Sequence, residues 1–321
     1  MRPMIPSFEF RRRARQAMKP VMSVLILVAL IASLPSLISS AVTLMADADP
    51  ATLLNTFSDR LTQVVEKHGL TQPPVTGEIV VDKAQLEADV LAVQEAYFAD
   101  VKTFAKEKGP LVLGLSLMVM IASPVLMLGM INAMLHALRK KEFTAGIALS
   151  RARYLFKALG LELLIAVKLF VWMLPGTLLM VLSLFLPPTL TALVAIVGLV
   201  ATIVMGVRAG YSYSLSVFVL ADEPQTRVRD CIRRSREVMQ GRRMEMFSLE
   251  ISFIGWQLLL SMVQSFLLGF GAIIGLTLGM FAALFLDVYT HCAKAAFYQE
   301  YAVGPITAPE AEEAPKEDEL N

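Results

Sequence analysis

Long runs of apolar residues alternate with short charged segments along the whole chain. A membrane-crossing helix rises about 1.5 Å per residue through about 30 Å of hydrocarbon, so it needs roughly 20 apolar residues. Lipid offers the backbone no hydrogen-bond partners, which favours helices over strands. The pattern therefore predicts an all-α fold, a polytopic transmembrane helical bundle with six spans. The six runs are 20–45, 110–138, 158–186, a fourth from the Pro187-Pro188 pair toward Leu220, 247–268 and 272–297.

The connections between the runs are very unequal in length. Only the proline pair separates the third run from the fourth, and only Gly269-Phe270-Gly271 separates the fifth from the sixth, so each pair is predicted to form a tight hairpin. The fourth run is too long for one straight crossing. The predicted parts are a basic cytoplasmic segment 1–19, span 20–45, an extracytoplasmic helical segment 46–108, a membrane domain 109–300 that includes an amphipathic helix 222–240, and a disordered acidic cytoplasmic tail 301–321.

The first run also has features of a signal peptide. Basic residues precede it, and Ala46-Asp47-Ala48 resembles a cleavage site. The apolar region of a signal peptide normally has about 7 to 15 residues, and this run is much longer. We therefore expect the first run to be retained as a membrane anchor.

Composition agrees with a lipid-embedded chain. Hydrophobic residues make up 56% of the sequence and charged residues 18%, with a mean hydropathy of +0.61, whereas soluble domains carry about 25% charged residues. The net charge of +1 hides a strong segregation of charge. Nineteen basic residues lie before the first span and within 139–157 and 227–243, while 46–108 holds 6 basic and 11 acidic residues. The positive-inside rule then predicts a multi-pass protein of the cell (inner) membrane with both termini in the cytoplasm.

The predicted outer segment contains two stretches of helical periodicity. Apolar residues recur at helical spacing from Leu53 to Val65 and again from Leu86 to Phe104, and Pro73-Pro74 with Gly77 separate the two stretches. We expect a helical hairpin whose apolar stripes pack together or lie on the outer leaflet. A ligand-sensing cap is the alternative, and no residue favours it.

The segment 222–240 is the clearest of the predicted cytoplasmic interfacial helices. Asp222 can cap its start, Gln225 occupies the capping-box position and Gly241 ends it. Val228, Ile232, Val238 and Met239 form an apolar stripe, so the helix is predicted to lie along the inner leaflet. Similar basic stretches at 13–15 and 151–153 precede the first and third spans. The arginines predicted to contact anionic lipid headgroups, at about 1 kcal/mol each, are Arg227, Arg229, Arg233, Arg234 and Arg236.

Five ionisable residues fall within the predicted spans, where an unpaired charge is costly: Glu162, Lys168, Arg208, Glu250 and Asp287. We expect Arg208 to bond to Asp287 or Glu250 and so to fix how the last three spans pack. A proton or substrate path that uses the same groups is the alternative.

No catalytic motif stands out. The three histidines lack metal-ligand spacing, and the chain has neither a phosphate loop nor a nucleophile elbow, so we expect a non-enzymatic protein with no metal and no cofactor. Membrane orientation explains the arginine-rich stretch better than nucleic-acid binding does. Cys231 and Cys292 are expected to be free thiols. The expected partners are the lipid bilayer and anionic headgroups, and a homo-oligomer is compatible with the sequence.

Several motifs resemble one known family. They are YSYSLSVFVLADEP from Tyr211, SREVMQG from Ser235, LEISFIGWQLL from Leu249 and AFY from Ala296. With these motifs the chain resembles the uncharacterised bacterial membrane family described as domain of unknown function 975. The resemblance implies a multi-spanning membrane protein without an assigned activity.

The sequence leaves two functional hypotheses. The first is a structural or envelope-associated membrane protein. The second is a transporter or channel for a small solute or ion that uses polar groups within the spans. A continuous polar cavity that reaches Lys168 or Asp287 would favour transport, and a closely packed bundle would favour the structural role.

Overall fold

The computed structural model describes residues 5–69, 83–269 and 272–304, and all regular structure within those ranges is helical. The α-helices are α1 Ser7–Met18, α2 Met22–Met45, α3 Ala51–Lys67, α4 Lys83–Glu107, α5 Gly109–Leu138, α6 Leu155–Ser183, α7 Pro188–Tyr213, α8 Ser216–Asp222, α9 Val228–Met239, α10 Arg243–Leu268 and α11 Ala272–Tyr298.

Five helical stretches within the described ranges are long and apolar enough to cross a membrane, judged by length and composition. They are Ser7–Met45, Gly109–Leu138, Ala145–Ser183, Leu190–Asp222 and Arg243–Leu267. The sixth predicted run forms α11, which has 27 residues. The all-helical prediction is therefore confirmed, and helices cover all six apolar runs.

The chain divides into two compact units, residues 34–120 and the remainder. In the smaller unit, α3 and α4 pack against each other. The ring centroids of Phe57 and Tyr97 lie 4.9 Å apart, and Arg60 bonds to Asp100 at 2.7 Å. Both helices predicted for this region are present.

A second polar contact joins the end of α3 to α4. The Asp89 carboxylate accepts hydrogen bonds from Lys67 at 2.6 Å and from the His68 ring at 2.9 Å. These bonds hold the pKa of Asp89 below its ordinary value, with the Lys67 bond as the larger cause. The predicted break at Pro73-Pro74 and Gly77 lies outside the described residues.

The core of the larger unit lies at one end of its helices, which we call the packed end. Phe10, Leu135, Leu220, Met246 and Phe297 mark it, and each is at most 1% exposed. Away from the packed end, large apolar side chains on α6, α7 and α10 stay exposed. Such apolar walls are typical of helices that lipid surrounds.

Helices α6 and α7 pack closely because small residues face each other. A side-chain carbon placed at Gly198 would lie 2.9 Å from the backbone oxygen of Gly176, and one placed at Gly176 would meet the backbone oxygen of Gly198 at 2.7 Å. Small residues allow this approach of two helix backbones. Pro188 opens α7, where its missing N–H costs nothing.

The basic helix α1 lies against protein through its apolar face. It joins α2 through a short 3₁₀ turn, and Phe10, Ala14 and Met18 are buried. The Phe10 ring lies 5.2 Å from Phe297 and 5.8 Å from Tyr301. The apolar face of this predicted interfacial helix is therefore covered by α10 and α11, and its position at the membrane interface stays a prediction.

The predicted helix 222–240 is shorter in the structure, where only Val228–Met239 is helical beyond Asp222. α8 ends at Asp222, and α9 begins only at Val228, with Arg227 as its N-cap and no side-chain cap. The predicted start at Asp222 is wrong because this carboxylate is an ion-pair partner and not a helix cap. The predicted end is confirmed, since Gly241 adopts a φ of +82°. The break before α8 also confirms that the fourth run is not one straight helix.

The predicted disordered tail 301–321 includes residues that are ordered in the structure. Residues 299–303 form a turn of π-helix, and the Tyr301 ring packs 4.7 Å from Phe297. The residues from 305 onward lie outside the described ranges.

Candidate functional site

A partly buried ion pair organises the packed end. Arg139 follows α5 directly, and its two terminal nitrogens donate to the two carboxylate oxygens of Asp222 at 2.7 and 2.8 Å. The Arg139 Nε donates to Gln299 Oε1 at 2.9 Å, and the Tyr298 hydroxyl donates to Asp222 at 3.3 Å. These four residues, which we call the Asp222 cluster, join the ends of α5, α8 and α11.

The charges of the cluster are well compensated. The side chains of Arg139 and Asp222 are 23% and 16% exposed. The hydrogen bonds that Arg139 donates to Asp222 raise the pKa of Arg139 despite its partial burial. Bidentate geometry of this kind is among the strongest that a guanidinium forms with a carboxylate.

The loop between α8 and α9 is held by Lys157 in the first turn of α6 and by Tyr154, which immediately precedes that helix. Lys157 Nζ donates to the backbone oxygens of Pro224 and Gln225 at 2.8 and 3.1 Å. The Gln225 amide donates to the Tyr154 hydroxyl at 3.0 Å. These bonds explain why the chain between α8 and α9 is not helical, since side chains from α6 occupy its backbone oxygens.

Ser235 on α9 forms hydrogen bonds with the backbone at the break between α7 and α8. Its hydroxyl donates to the backbone oxygen of Ser212 at 2.9 Å and accepts from the backbone nitrogen of Leu215 at 3.2 Å. Ser235 is fully buried. Because α7 stops at Tyr213, its backbone groups at the break need such partners.

Further polar contacts join the π-helical turn Gln299–Val303 to α1 and to the start of α10. Arg13 pairs with Glu300 at 2.7 Å. The Tyr301 hydroxyl donates to Glu245 at 2.6 Å, and the Arg242 guanidinium lies 3.8 Å from the centre of the Tyr301 ring. Burial and the bond to Glu245 raise the pKa of Tyr301 to about 12, so the phenol stays protonated and donates.

A cavity of about 630 Å³ lies beside these contacts, between α1, the end of α5 and the end of α11. Its charged lining residues are Arg13, Lys140, Lys141, Glu142 and Glu300. Neither Lys168 nor Asp287 lines it.

The structure separates the charged residues predicted within the spans. Glu250 accepts from Lys294 and from the Tyr211 hydroxyl, both at 2.6 Å. The Asp287 carboxylate lies 3.4 Å from the His291 ring, one turn along α11. The predicted bond of Arg208 to Glu250 or Asp287 is therefore wrong. The register of α10 against α11 brings Lys294 to Glu250 instead, and the Arg208 side chain is exposed.

The remaining two candidates on α6 stay apart from this pairing. Glu162 is exposed and Lys168 is half-buried. Within the described residues, neither these two nor Arg208 makes an ion pair. Two of the five candidates, Glu250 and Asp287, thus have other partners, and the remaining three form no ion pair within the described residues.

The arginines of α9 and its preceding loop mostly face away from the protein. Arg227, Arg229, Arg233 and Arg236 are exposed, whereas Arg234 bonds to Glu223 at 2.7 Å. That bond raises the pKa of Arg234. The apolar stripe packs on α6, α7 and α8, with Ile232 at 3% exposure, so protein covers this stripe. The placement of the helix along the inner leaflet stays a prediction.

The two cysteines are free and buried. Burial is the main cause that raises the pKa of Cys231 to about 11, so its thiol is unreactive near neutral pH. Across the described ranges, no cluster of three or more His, Cys, Asp and Glu side chains could hold a metal ion.

The sequence interpretation missed Arg139. Two signals pointed to it: it directly follows an apolar run, and Asp222 stands between the apolar end of the fourth run and Pro224. Neither signal reveals that two residues 83 positions apart meet.

The motifs that carry the family resemblance converge at the packed end. Tyr211 meets Glu250, Ser235 bonds to Ser212, and Tyr298 bonds to Asp222. The described residues are helical throughout their regular structure and include five candidate membrane spans, which indicates a membrane-embedded helical protein.

The family follows from a direct comparison. The chain belongs to the family described as protein of unknown function DUF975, whose model matches residues 90–302 and so more than half of the chain. Comparison with the curated proteins and with the solved structures finds no match.

Proposed function

We propose that this chain is a six-span protein of the cell (inner) membrane with a structural or envelope-associated role and no enzymatic activity. The observation that carries the proposal is the Asp222 cluster. Its charged groups bond to one another and join three helix ends, as expected of groups that hold a bundle together. Substrate-binding groups would instead need free donors or acceptors that face a path.

Charge distribution supports the orientation. The basic residues of 5–19, 139–157 and 227–243 belong to the packed end, so that end faces the cytoplasm under the positive-inside rule. Segment 46–108, with α3 and α4, then lies outside. Helix α11 has the length of a crossing and is the sixth span.

The exposed face of α9 supports contact with anionic headgroups. Four arginines, Arg227, Arg229, Arg233 and Arg236, point away from the protein while the apolar stripe is buried. The exposed face of α9 is therefore charged and its apolar stripe is covered, which suits attraction to headgroups better than insertion into lipid.

Transport remains the second candidate because of one observation. Lys168 and Arg208 lie in helices of spanning length and make no ion pair within the residues the structure describes. Uncompensated charges at such positions are typical of substrate or ion paths. Neither residue lines the 630 Å³ cavity.

A flux measurement separates the two candidates. The purified chain is reconstituted into liposomes, and fluxes of protons, monovalent cations and labelled small solutes are compared with those of protein-free liposomes. We expect equal fluxes in both preparations, with an added ionophore confirming that the assay responds. Saturable uptake that Lys168→Met or Arg208→Met abolishes, and that Arg233→Gln on exposed α9 leaves intact, would overturn the structural role.

A further inference from the structure

A second, almost wholly apolar groove of about 390 Å³ lies in the larger unit, where the junction of α1 and α2 meets α10 and α11. Met22, Trp256, Val263 and Phe285 are among its lining side chains, and Arg15 is the one charged residue that lines it. Along α10 the groove extends from Trp256 to Val263, which is about 10 Å of helix. Its volume is in the range of about 300 to 1,000 Å³ that is usual for ligand pockets.

The charge at the groove is uncompensated. Arg12 and Arg13 on the same helix bond to Glu9. Arg15 is exposed and forms no ion pair with any residue in the described ranges. The hydroxyl of Tyr289, which also lines the groove, already donates to the backbone oxygen of Arg11 at 3.3 Å. A ligand therefore meets apolar walls and one free guanidinium.

We infer that this groove binds an anionic phospholipid, with an acyl chain between Trp256 and Phe285 and the headgroup phosphate on Arg15. A guanidinium binds phosphate oxygens in bidentate geometry. The groove also lies where a basic helix passes into an apolar span, which is the depth at which a phospholipid changes from phosphate to hydrocarbon. The inference rests on the proposed function only in placing this junction at the membrane surface.

Two variants with matched controls test the groove. Arg15→Gln removes the charge, and Lys19→Gln removes an exposed charge that does not line the groove. Ala282→Trp fills the groove from an exposed position of α11, and Ala283→Trp adds the same bulk at the next exposed position, outside the groove. Binding of phosphatidylglycerol and of phosphatidylcholine with identical chains to the purified full chain is measured by native mass spectrometry.

We expect the unmodified chain to bind phosphatidylglycerol about tenfold more tightly than phosphatidylcholine. Both lipids carry the phosphate, but the choline ammonium offsets its charge, so the net charge that attracts Arg15 is present only in phosphatidylglycerol. Arg15→Gln should remove this preference and Lys19→Gln should keep it. Ala282→Trp should weaken binding of both lipids at least about tenfold, whereas Ala283→Trp should not.

A preference for phosphatidylglycerol that survives Arg15→Gln would overturn the inference. Displacement of the lipid by soluble glycerol phosphate at equal concentration would also overturn it, because the site would then bind a free anion. If Ala282→Trp fails to fold, the comparison of Arg15→Gln with Lys19→Gln decides the question alone. Solute flux through liposomes would contradict the proposed function and leave a lipid in this groove unaffected.

Discussion

Asp222→Asn is expected to lower the free energy of unfolding by about 2 kcal/mol, since the partly buried charge of Arg139 would lose its counter-charge. Arg139 would retain its charge, with Gln299 as the remaining acceptor, at a position that is only 23% exposed. The side chain of asparagine has nearly the same shape as that of aspartate, so the loss reports charge and not packing. The measurement is thermal unfolding of the purified chain in detergent, together with its abundance in membranes.

An exposed ion pair in the same region provides the control. Glu223 bonds to Arg234 at 2.7 Å, but the two side chains are 46% and 36% exposed. Solvent screens such a pair, so Glu223→Gln should cost less than about 1 kcal/mol. The double variant Arg139→Gln with Asp222→Asn should lose less stability than the sum of its single variants, because the pair is coupled. Equal melting temperatures for Asp222→Asn and Glu223→Gln would contradict the role given to the Asp222 cluster.

Gly129→Ala is expected to be the most damaging small substitution in α5. A side-chain carbon at Gly129 would overlap the backbone carbonyl group of Ala148 in the 3₁₀ turn Ala145–Leu149, where no flexible side chain can move aside. Overpacking typically costs about 1 to 3 kcal/mol, and a clash with backbone lies at the upper end of that range or above it. The expected result is a clearly lower melting temperature and lower abundance in membranes.

The same helix offers a matched control for this substitution. A side-chain carbon at Gly114 would meet nothing within 4 Å. Gly114→Ala should therefore stabilise α5 by up to about 1 kcal/mol, because alanine is the better helix former. If Gly129→Ala and Gly114→Ala melt at the same temperature, the close packing of α5 on residues 145–149 is wrong.

The helices were predictable because lipid sets their length. The predicted runs 110–138 and 247–268 appear as Gly109–Leu138 and Arg243–Leu268. The early start of α10 shows what apolarity alone misses. A helix continues past its apolar run when protein contacts, here the burial of Met246 at the packed end, stabilise its polar first turn.

The packing of the amphipathic helices was not predictable from one sequence. An apolar stripe on α1 or α9 is equally compatible with lipid and with protein. Contacts from distant parts of the chain decide between the two, as Phe10 shows by packing on Phe297. The split between α8 and α9 likewise depends on Lys157, 67 residues before the backbone oxygen that it binds.

The candidate site was predictable in residue type but not in pairing. Charged residues within spans require partners, and Glu250 has one. The partner is Lys294 and not Arg208, because the register between α10 and α11 sets which residues meet, and a single sequence does not contain that register. The pairing of Arg139 with Asp222 was likewise not predictable, because it depends on how the ends of α5 and α8 meet.

Orientation of the bundle in the membrane is tested most directly by cysteine labelling. Cys231 and Cys292 are buried, and the raised pKa of Cys231 keeps its thiol protonated, so single cysteines introduced at exposed positions dominate the signal. Lys102→Cys on α4 and Arg233→Cys on α9 are both exposed. Intact cells are treated with a membrane-impermeant maleimide and compared with permeabilised cells.

We predict that Lys102→Cys reacts in intact cells and that Arg233→Cys reacts only after permeabilisation. This pattern requires an odd number of crossings between α4 and α9 and places the packed end in the cytoplasm. Labelling of Arg233→Cys in intact cells, or of both positions alike before permeabilisation, would contradict a helical bundle that crosses the membrane with its arginine-rich end inside.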